Sequence, residues 1–239
     1  MTTNTERLNT IRDLYNDSNS VWPSDDLWHN YTKTVIESKV YSWITSSASD
    51  MILNAGSGGT EYDILGTMVH LDIAEKKIKP LPKYIIGSVE DIPSPDNTYD
   101  YVICVGSVLN YVPLFPTLNE LYRVLKPGGK LLLEFERSNS GGLLLSNNYG
   151  KKCVFQKYNY NGQEHGIWLY SEKLIKDTLE VMGLRVTKLY RFHSFSSLCA
   201  RVSNNMEIII KTTKMDPLSH GISSLIAHNC IILFEKATA

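Results

Sequence analysis

The chain has little of what marks a secreted, membrane-spanning or nucleic-acid-binding protein. Its 239 residues include only four cysteines, Cys104, Cys153, Cys199 and Cys230, and none is spaced as a pair. That argues against a zinc knuckle or a disulfide framework, and it predicts reduced thiols in a cytoplasm. No uninterrupted apolar run reaches the roughly 18 residues of a membrane span. The polar start Met1-Thr-Thr-Asn-Thr-Glu-Arg7 has no apolar core of a signal peptide. The formal net charge is -1, too near zero to draw phosphates from a distance, so neither nucleic acid nor a membrane is an expected partner. Repeats, low-complexity tracts and a Pro/Gly/Ser linker are also lacking, so one domain is expected over 1–239. A content of 43% hydrophobic and 21% charged residues suffices for one sizeable core with additions.

What the chain does have is Met51-Ile-Leu-Asn-Ala-Gly-Ser-Gly-Gly-Thr-Glu-Tyr62, followed by Val69-His-Leu-Asp-Ile73. The pattern reads as strand, glycine turn, helix start, strand, acid. Gly56, Gly58 and Gly59 lack a Cβ, so the turn can take positive φ and let a ligand lie against bare main chain. Thr60 is expected to cap a helix. Asp72 ends the second strand, where its carboxylate either receives the two hydroxyls of a ribose or caps the segment Ala74-Glu-Lys-Lys77. A dinucleotide site asks for G-x-G-x-x-G, and the third glycine position here is Glu61. A carboxylate at a helix N-terminus repels a pyrophosphate, which favours a zwitterionic or cationic nucleoside.

Two further stretches follow in order: Gly87-Ser-Val-Glu-Asp-Ile-Pro-Ser-Pro-Asp-Asn-Thr-Tyr-Asp-Tyr-Val-Ile-Cys104 and Leu118-Asn-Glu-Leu-Tyr-Arg-Val-Leu-Lys-Pro-Gly-Gly-Lys-Leu-Leu-Leu-Glu134. Over roughly residues 50–137 the chain resembles the class I S-adenosylmethionine-dependent methyltransferases, specifically their small-molecule branch. That resemblance implies S-adenosyl-L-methionine as cofactor, with Asn54, Gly56, Ser57, Gly58, Asp72, Ile73, Ser88, Val89, Glu90 and Val105 as its contacts. It departs from the family pattern at Asn54, where an acid is usual, at Thr60, where a third glycine is usual, and at Ser88, where an aspartate usually meets the adenine. The Gly128-Gly129 turn is expected to be structural.

Helical spacing of apolar residues predicts helices near 5–16 and 27–47, with strands near 50–55, 67–72, 83–87, 99–105 and 129–136. A hairpin is expected over 152–170 around Asn161-Gly162, a helix near 171–182, a strand near 184–192 and a final strand over 230–235. The spacing of Leu198, Val202, Met206 and Ile209 suggests one added helix within 194–228. The fold class is α/β: a Rossmann-like, mostly parallel seven-stranded sheet with helices on both faces and, as the resemblance implies, an antiparallel last strand. Within it, 1–48 form a helical cap, 49–137 the cofactor-binding core, and 138–170 and 194–228 insertions that complete a substrate lid.

Ligands in such sheets sit beyond the carboxyl ends of the strands, so the lid segments are expected to set specificity. Tyr15, Trp22, Trp28, Tyr31, Tyr158, Tyr160 and Trp168 suit a pocket for a flat or amphipathic small molecule, while any single one is more often a residue that packs against the core or a dimer partner. His29, His165 and His193 are candidate proton acceptors, with Tyr158 or Asn110 to orient a nucleophile; no single catalytic residue is assigned. His70 reads as structural, and His220 and His228 lie in no pattern. The reaction expected is methyl transfer to oxygen or nitrogen of a small molecule. The alternative is a non-catalytic partner subunit that binds adenosylmethionine or adenosylhomocysteine, and a nicotinamide-dependent oxidoreductase ranks third. No metal is expected, and the oligomeric state is open, a homodimer included.

Overall fold

The computed structural model describes residues 4–17, 22, 26–160, 163–203, 205–216 and 221–238. In chain order the elements are α1 (Asn4–Asp17), α2 (Leu27–Trp43), β1 (Met51–Ala55), β2 (Thr67–Asp72), α3 (Glu75–Ile78), β3 (Tyr84–Ile86), β4 (Tyr99–Cys104), α4 (Leu114–Val124) and β5 (Leu125–Glu136). Then follow β6 (Cys153–Tyr160), β7 (Gln163–Tyr170), α5 (Glu172–Val181), β8 (Leu184–Phe192), α6 (Phe195–Val202), α7 (Met206–Thr213) and β9 (Asn229–Lys236).

Seven strands form one sheet in the order β3-β2-β1-β4-β5-β9-β8. The pairs from β3 to β5 are parallel, and β9 runs antiparallel between β5 and β8. The expected mixed sheet is therefore present, and its order reverses between β1 and β4. Because side chains alternate along a strand, the central strands feed two cores. Leu53, Val102, Leu131, Leu133 and Phe234 pack with α4 and α5 on one face. Ile52, Ile103, Leu132 and Leu233 pack with Val35, Ile36 and Val40 of α2 on the other.

Four expectations need correction. No helix follows the glycine turn, so residues 56–66 connect β1 to β2 without one. The cause is Asn54, whose side-chain Nδ2 donates to the Thr60 carbonyl at 2.8 Å, while the Ile64 amide bonds Tyr62 instead of the Thr60 carbonyl a helix would require. Glu61 consequently does not sit at a helix N-terminus, and the electrostatic argument from it lapses. Helix α2 covers the adjoining sheet face; it ends at Trp43 rather than residue 47, because Ile44 turns extended and is buried against the sheet. The insertion carries two helices instead of one. Ser203 is extended after α6, and the Asn205 side chain caps α7 by accepting from the amides of Glu207 and Ile208, the kind of local bonding that makes Ser and Asn poor helix interiors. Strand β5 also begins earlier than expected, since Leu125 pairs with Tyr99 across a bulge.

The hairpin expected over 152–170 is β6 paired with β7, Cys153 opposite Tyr170 through Tyr160 opposite Gln163; its Asn161-Gly162 tip lies outside the described residues. Asn110, fully buried, fastens it to the sheet. Its Nδ2 donates to the carbonyls of Trp168 (2.6 Å) and Glu136 (3.0 Å), and its Oδ1 accepts from the Glu136 amide at 2.9 Å. All this amide's work goes into main chain, so Asn110 is a brace and does not orient a nucleophile. Replacing it by Ala strands three buried main-chain groups, and Asn110→Ala is expected to lower unfolding stability by about 2–3 kcal/mol in urea titration. A loss below about 1 kcal/mol would contradict the assignment.

Candidate active site

The switch in strand order places the tips of β1, β2 and β4 side by side. The glycine turn after β1 folds onto the end of β2: the amides of Gly56 and Ser57 both donate to the Leu71 carbonyl, at 2.8 and 3.1 Å. Gly56, Gly58 and Gly59 all take positive φ (72, 53 and 83°). A Cβ on Gly56 would lie 2.5 Å from Val108, so that position is closed to any other residue. Asp72 completes the joint. Its Oδ2 accepts from the Gly58 amide at 2.7 Å and its Oδ1 from the Ala74 amide at 2.8 Å. Burial raises its carboxyl above the ordinary range, against the pull of those amides. Both readings of Asp72 are thus compatible: one oxygen serves the segment before α3, and a carboxylate's several lone pairs leave capacity for hydroxyl donors.

Other expected contacts have different neighbours. Asn54 lies buried beneath the turn as its brace, and Ser57, also buried, accepts from the Gly59 amide at 3.3 Å. The Ser88 hydroxyl accepts from the Glu90 amide at 3.2 Å, while Val89 is buried in the core. The Glu90 carboxylate is engaged by the Arg7 guanidinium of α1, which also donates to the Tyr111 carbonyl at 2.5 Å. Glu90 therefore anchors the N-terminal helix over this edge. Ile73 stays half-buried at the rim. The Val105 side chain packs into the α2 core, leaving only its main chain at the strand end.

Beyond β4 the chain turns through Gly106 (φ 80°) and Ser107 (φ 59°). Left-handed geometry is costly for serine, and Glu134 holds it. This fully buried carboxylate accepts from the Gly106 amide (2.9 Å), the Ser107 amide (2.7 Å) and Asn229 Nδ2 (2.7 Å); burial pushes it up to about 7 despite these donors. Trp22 spans the two strand tips. Its Nε1 donates to the Thr60 hydroxyl at 3.2 Å, and its ring lies 3.6 Å from where a Gly106 Cβ would be.

Two residues further along β5, Glu136 meets His228, whose Nε2 is 2.9 Å from Oε2 and whose Nδ1 is 2.8 Å from the Ser140 hydroxyl. Burial works to raise the Glu136 carboxyl, but His228, the Ser107 hydroxyl and His29 together hold it below the ordinary range. Tyr15 stands between the two halves. Burial raises its phenol first, then Tyr111, then the charges of both Asp72 and Glu136. Its ring meets Tyr111 edge-on at 6.2 Å.

The histidines divide by environment. His29 bonds Asp26 at 2.5 Å; burial opposes its protonation, and Asp26 overcomes this to raise it. His193 is fully buried, stacked on Trp28 at 3.7 Å and bonded to Thr32 and Ser196 at 2.9 Å; burial pushes it down to about 4, so it is a neutral packing group, not a base. Tyr31 packs edge-on to Phe192 and His193. Trp168 pairs with Phe155 on the hairpin. The side chains of Tyr158, Tyr160 and His165, and all of His220, lie outside the described residues. His70 is buried in β2, and burial lowers it, as a structural residue would be. Among the described residues no cluster of His, Cys, Asp and Glu could hold a metal ion, and no helix is long and apolar enough to cross a membrane. Sequence reasoning missed Arg7, Glu134, Glu136 and His228. Only the two glutamates carried a signal, as acids at the carboxyl end of a central strand.

A family model described as a methyltransferase domain matches residues 45–133. The demethylmenaquinone methyltransferase of Geobacillus sp. (strain WCH70) is 42% identical over 82 residues, covering 32% of this chain and 35% of the relative. That of Lysinibacillus sphaericus (strain C3-41) is 30% identical over 151 residues, covering 57% of this chain and 64% of the relative. The chain thus spans less than two thirds of the length of these relatives. Among solved structures, the Burkholderia thailandensis 1,6-didemethyltoxoflavin-N1-methyltransferase, with 1,6-didemethyltoxoflavin and S-adenosylhomocysteine bound, superposes with a TM-score of 0.60 at 12% identity, covering 99% of this chain and 92% of that one. The sheet order, the folded-back glycine turn and the structural neighbours agree on the fold of the class I S-adenosylmethionine-dependent methyltransferases, and residues 45–133 match a methyltransferase domain.

Proposed function

We propose that this protein transfers the methyl group of S-adenosylmethionine to an oxygen or nitrogen of a small organic acceptor. The observation that carries the reading is the Asp72 joint, in which a carboxylate and a glycine turn free of Cβ atoms meet at the switch in strand order. With no helix starting at the turn, there is no array of helix amides for a pyrophosphate, which weighs against a dinucleotide and for a nucleoside with a cationic tail. Asp72 would receive the ribose hydroxyls, Gly56 and Gly58 would line the amino-acid portion, and Ile73 would flank the adenine.

The bound cofactor supplies an already activated methyl group. The chain's part is to align an acceptor with it and to keep water out. Residues 1–48, 138–170 and 194–228 form the lid in this reading, with Arg7 clamping α1 to Glu90 and Trp22 closing the gap between Thr60 and Gly106. The names of the relatives specify demethylmenaquinone, and that of the structural neighbour N1 of 1,6-didemethyltoxoflavin; small organic acceptors are common to both. The four unpaired cysteines support a cytoplasmic setting.

Methyl label from S-adenosylmethionine is expected to enter a small-molecule extract in the presence of the protein. Cofactor binding with no such transfer would instead support the non-catalytic partner. Asp72→Asn keeps the shape and removes the charge, and it is expected to weaken S-adenosylhomocysteine binding at least about tenfold; undiminished affinity would refute the role. Affinity in the unaltered protein is expected to fall as acid protonates Asp72. The midpoint should lie above the ordinary 3.8, because burial raises this carboxyl.

A further inference from the structure

The acceptor side of the site holds a hydrogen-bonded chain that nothing in the cofactor reading uses: Glu136, His228, Ser140. We propose that Glu136 takes the proton of a weakly acidic hydroxyl on a flat acceptor, with His228 as its positioning residue. This inference rests on the methyl-transfer reading and adds the group that removes the proton.

The placement follows from the sheet. Antiparallel pairing sets Glu136, the last residue of β5, opposite Asn229, the first of β9, so His228 arrives beside the Glu136 carboxylate at the carboxyl end of the parallel strands. The neighbouring Ser107 lies in the turn that follows β4 and helps to hold the Glu136 carboxyl low. Both carboxylates, Asp72 and Glu136, add to the rise of the Tyr15 phenol. Both members of the pair are largely but not wholly shielded, with side chains 19% and 14% exposed.

His228 is held at both ring nitrogens: Nδ1 lies 2.8 Å from the Ser140 hydroxyl, which accepts from the Gly142 amide at 3.2 Å, and Nε2 faces Glu136 at 2.9 Å. His228 engages Glu136 by a hydrogen bond, and Ser107, His29, His193, Tyr15 and Glu134 are the other polar groups around it. Glu134 already serves three donors in the core, His193 is sealed off, and His29 is tied to Asp26, which leaves Glu136 as the carboxylate with capacity for a further donor. Trp28, edge-on to His228 at 5.7 Å, and Tyr111, edge-on to Tyr15, make the surroundings of the pair aromatic, which suits a flat acceptor. An acceptor that is itself an anion would be repelled here.

In the step, the acceptor oxygen's lone pair forms the bond to the methyl carbon, and the electrons of the broken carbon–sulfur bond remain on sulfur. The hydroxyl proton passes to Glu136, and from there to water once the products leave. Charge balances: one cation is consumed and one proton released.

The test uses the full chain saturated with S-adenosylhomocysteine and 4-nitrophenol as probe, whose phenolate is seen by its visible absorption. Bound 4-nitrophenol is expected to stay un-ionised beside the Glu136 carboxylate, so that its affinity falls as pH rises through the phenol's own pKa, and 4-nitroanisole, which has no proton to give, is expected to bind at least about tenfold more weakly. Glu136→Gln should shrink both the preference for the phenol over the anisole and the loss of affinity at high pH, while S-adenosylhomocysteine still binds. His228→Gln, which keeps an N–H donor, should retain more of the preference than His228→Ala. No nitrophenol binding, equal binding of the anisole, or an unchanged preference in Glu136→Gln each overturns the inference and leaves the cofactor reading standing. Failure of the unaltered protein to bind S-adenosylhomocysteine overturns both.

Discussion

A single carboxylate fixes the geometry on which the site depends. Asp72 draws the Gly58 amide and the Ala74 amide onto its two oxygens, so the turn after β1 and the segment after β2 are held in one relative position. Hydrogen bonds to an ionised acceptor are shorter and stronger than neutral ones, and these are largely shielded from water. The positive φ of Gly56, Gly58 and Gly59 makes the arrangement sterically possible, and Asn54 ties the turn to the end of β1. Main chain, not side chains, is what the turn offers a ligand.

A parallel device organises the other half. Glu134 holds the left-handed Gly106–Ser107 turn by accepting both amides, and two residues on Glu136 faces His228. Successive inward positions of one strand thus do different work: one carboxylate is sealed in the core and structural, the next is at the rim and able to receive a proton. The N-terminal helix bridges the halves through Arg7 on Glu90 and Tyr15 beside Tyr111, while the hairpin is fastened by Asn110 at the same end of the sheet. Segments far apart in sequence therefore meet at one end of the sheet.

Much of the scaffold was legible because its causes are local. Buried parallel strands read as apolar runs such as Met51–Ala55, glycines mark the turn, and alternation around Asn161-Gly162 gives the hairpin. The missing helix after Thr60 was not legible, because it is suppressed by a side chain six residues earlier reaching forward to a carbonyl. Roles of single polar residues were the least accessible. Glu90, Asn110 and His193 each had a chemical type suited to the site, and each is consumed by a partner that is remote in sequence or by core packing. The pairing of Glu136 with His228 depends on the register of an antiparallel strand that enters ninety-two positions later, which no local pattern reveals.

The central claim is that the Asp72 joint grips an adenosine carrying a cationic or zwitterionic tail. Calorimetric titration of the full chain with S-adenosylhomocysteine, set beside the same titration with NAD, tests it most directly. Saturable one-to-one binding of the first with none of the second is the predicted result; no binding of the first, or preference for the second, would contradict the account.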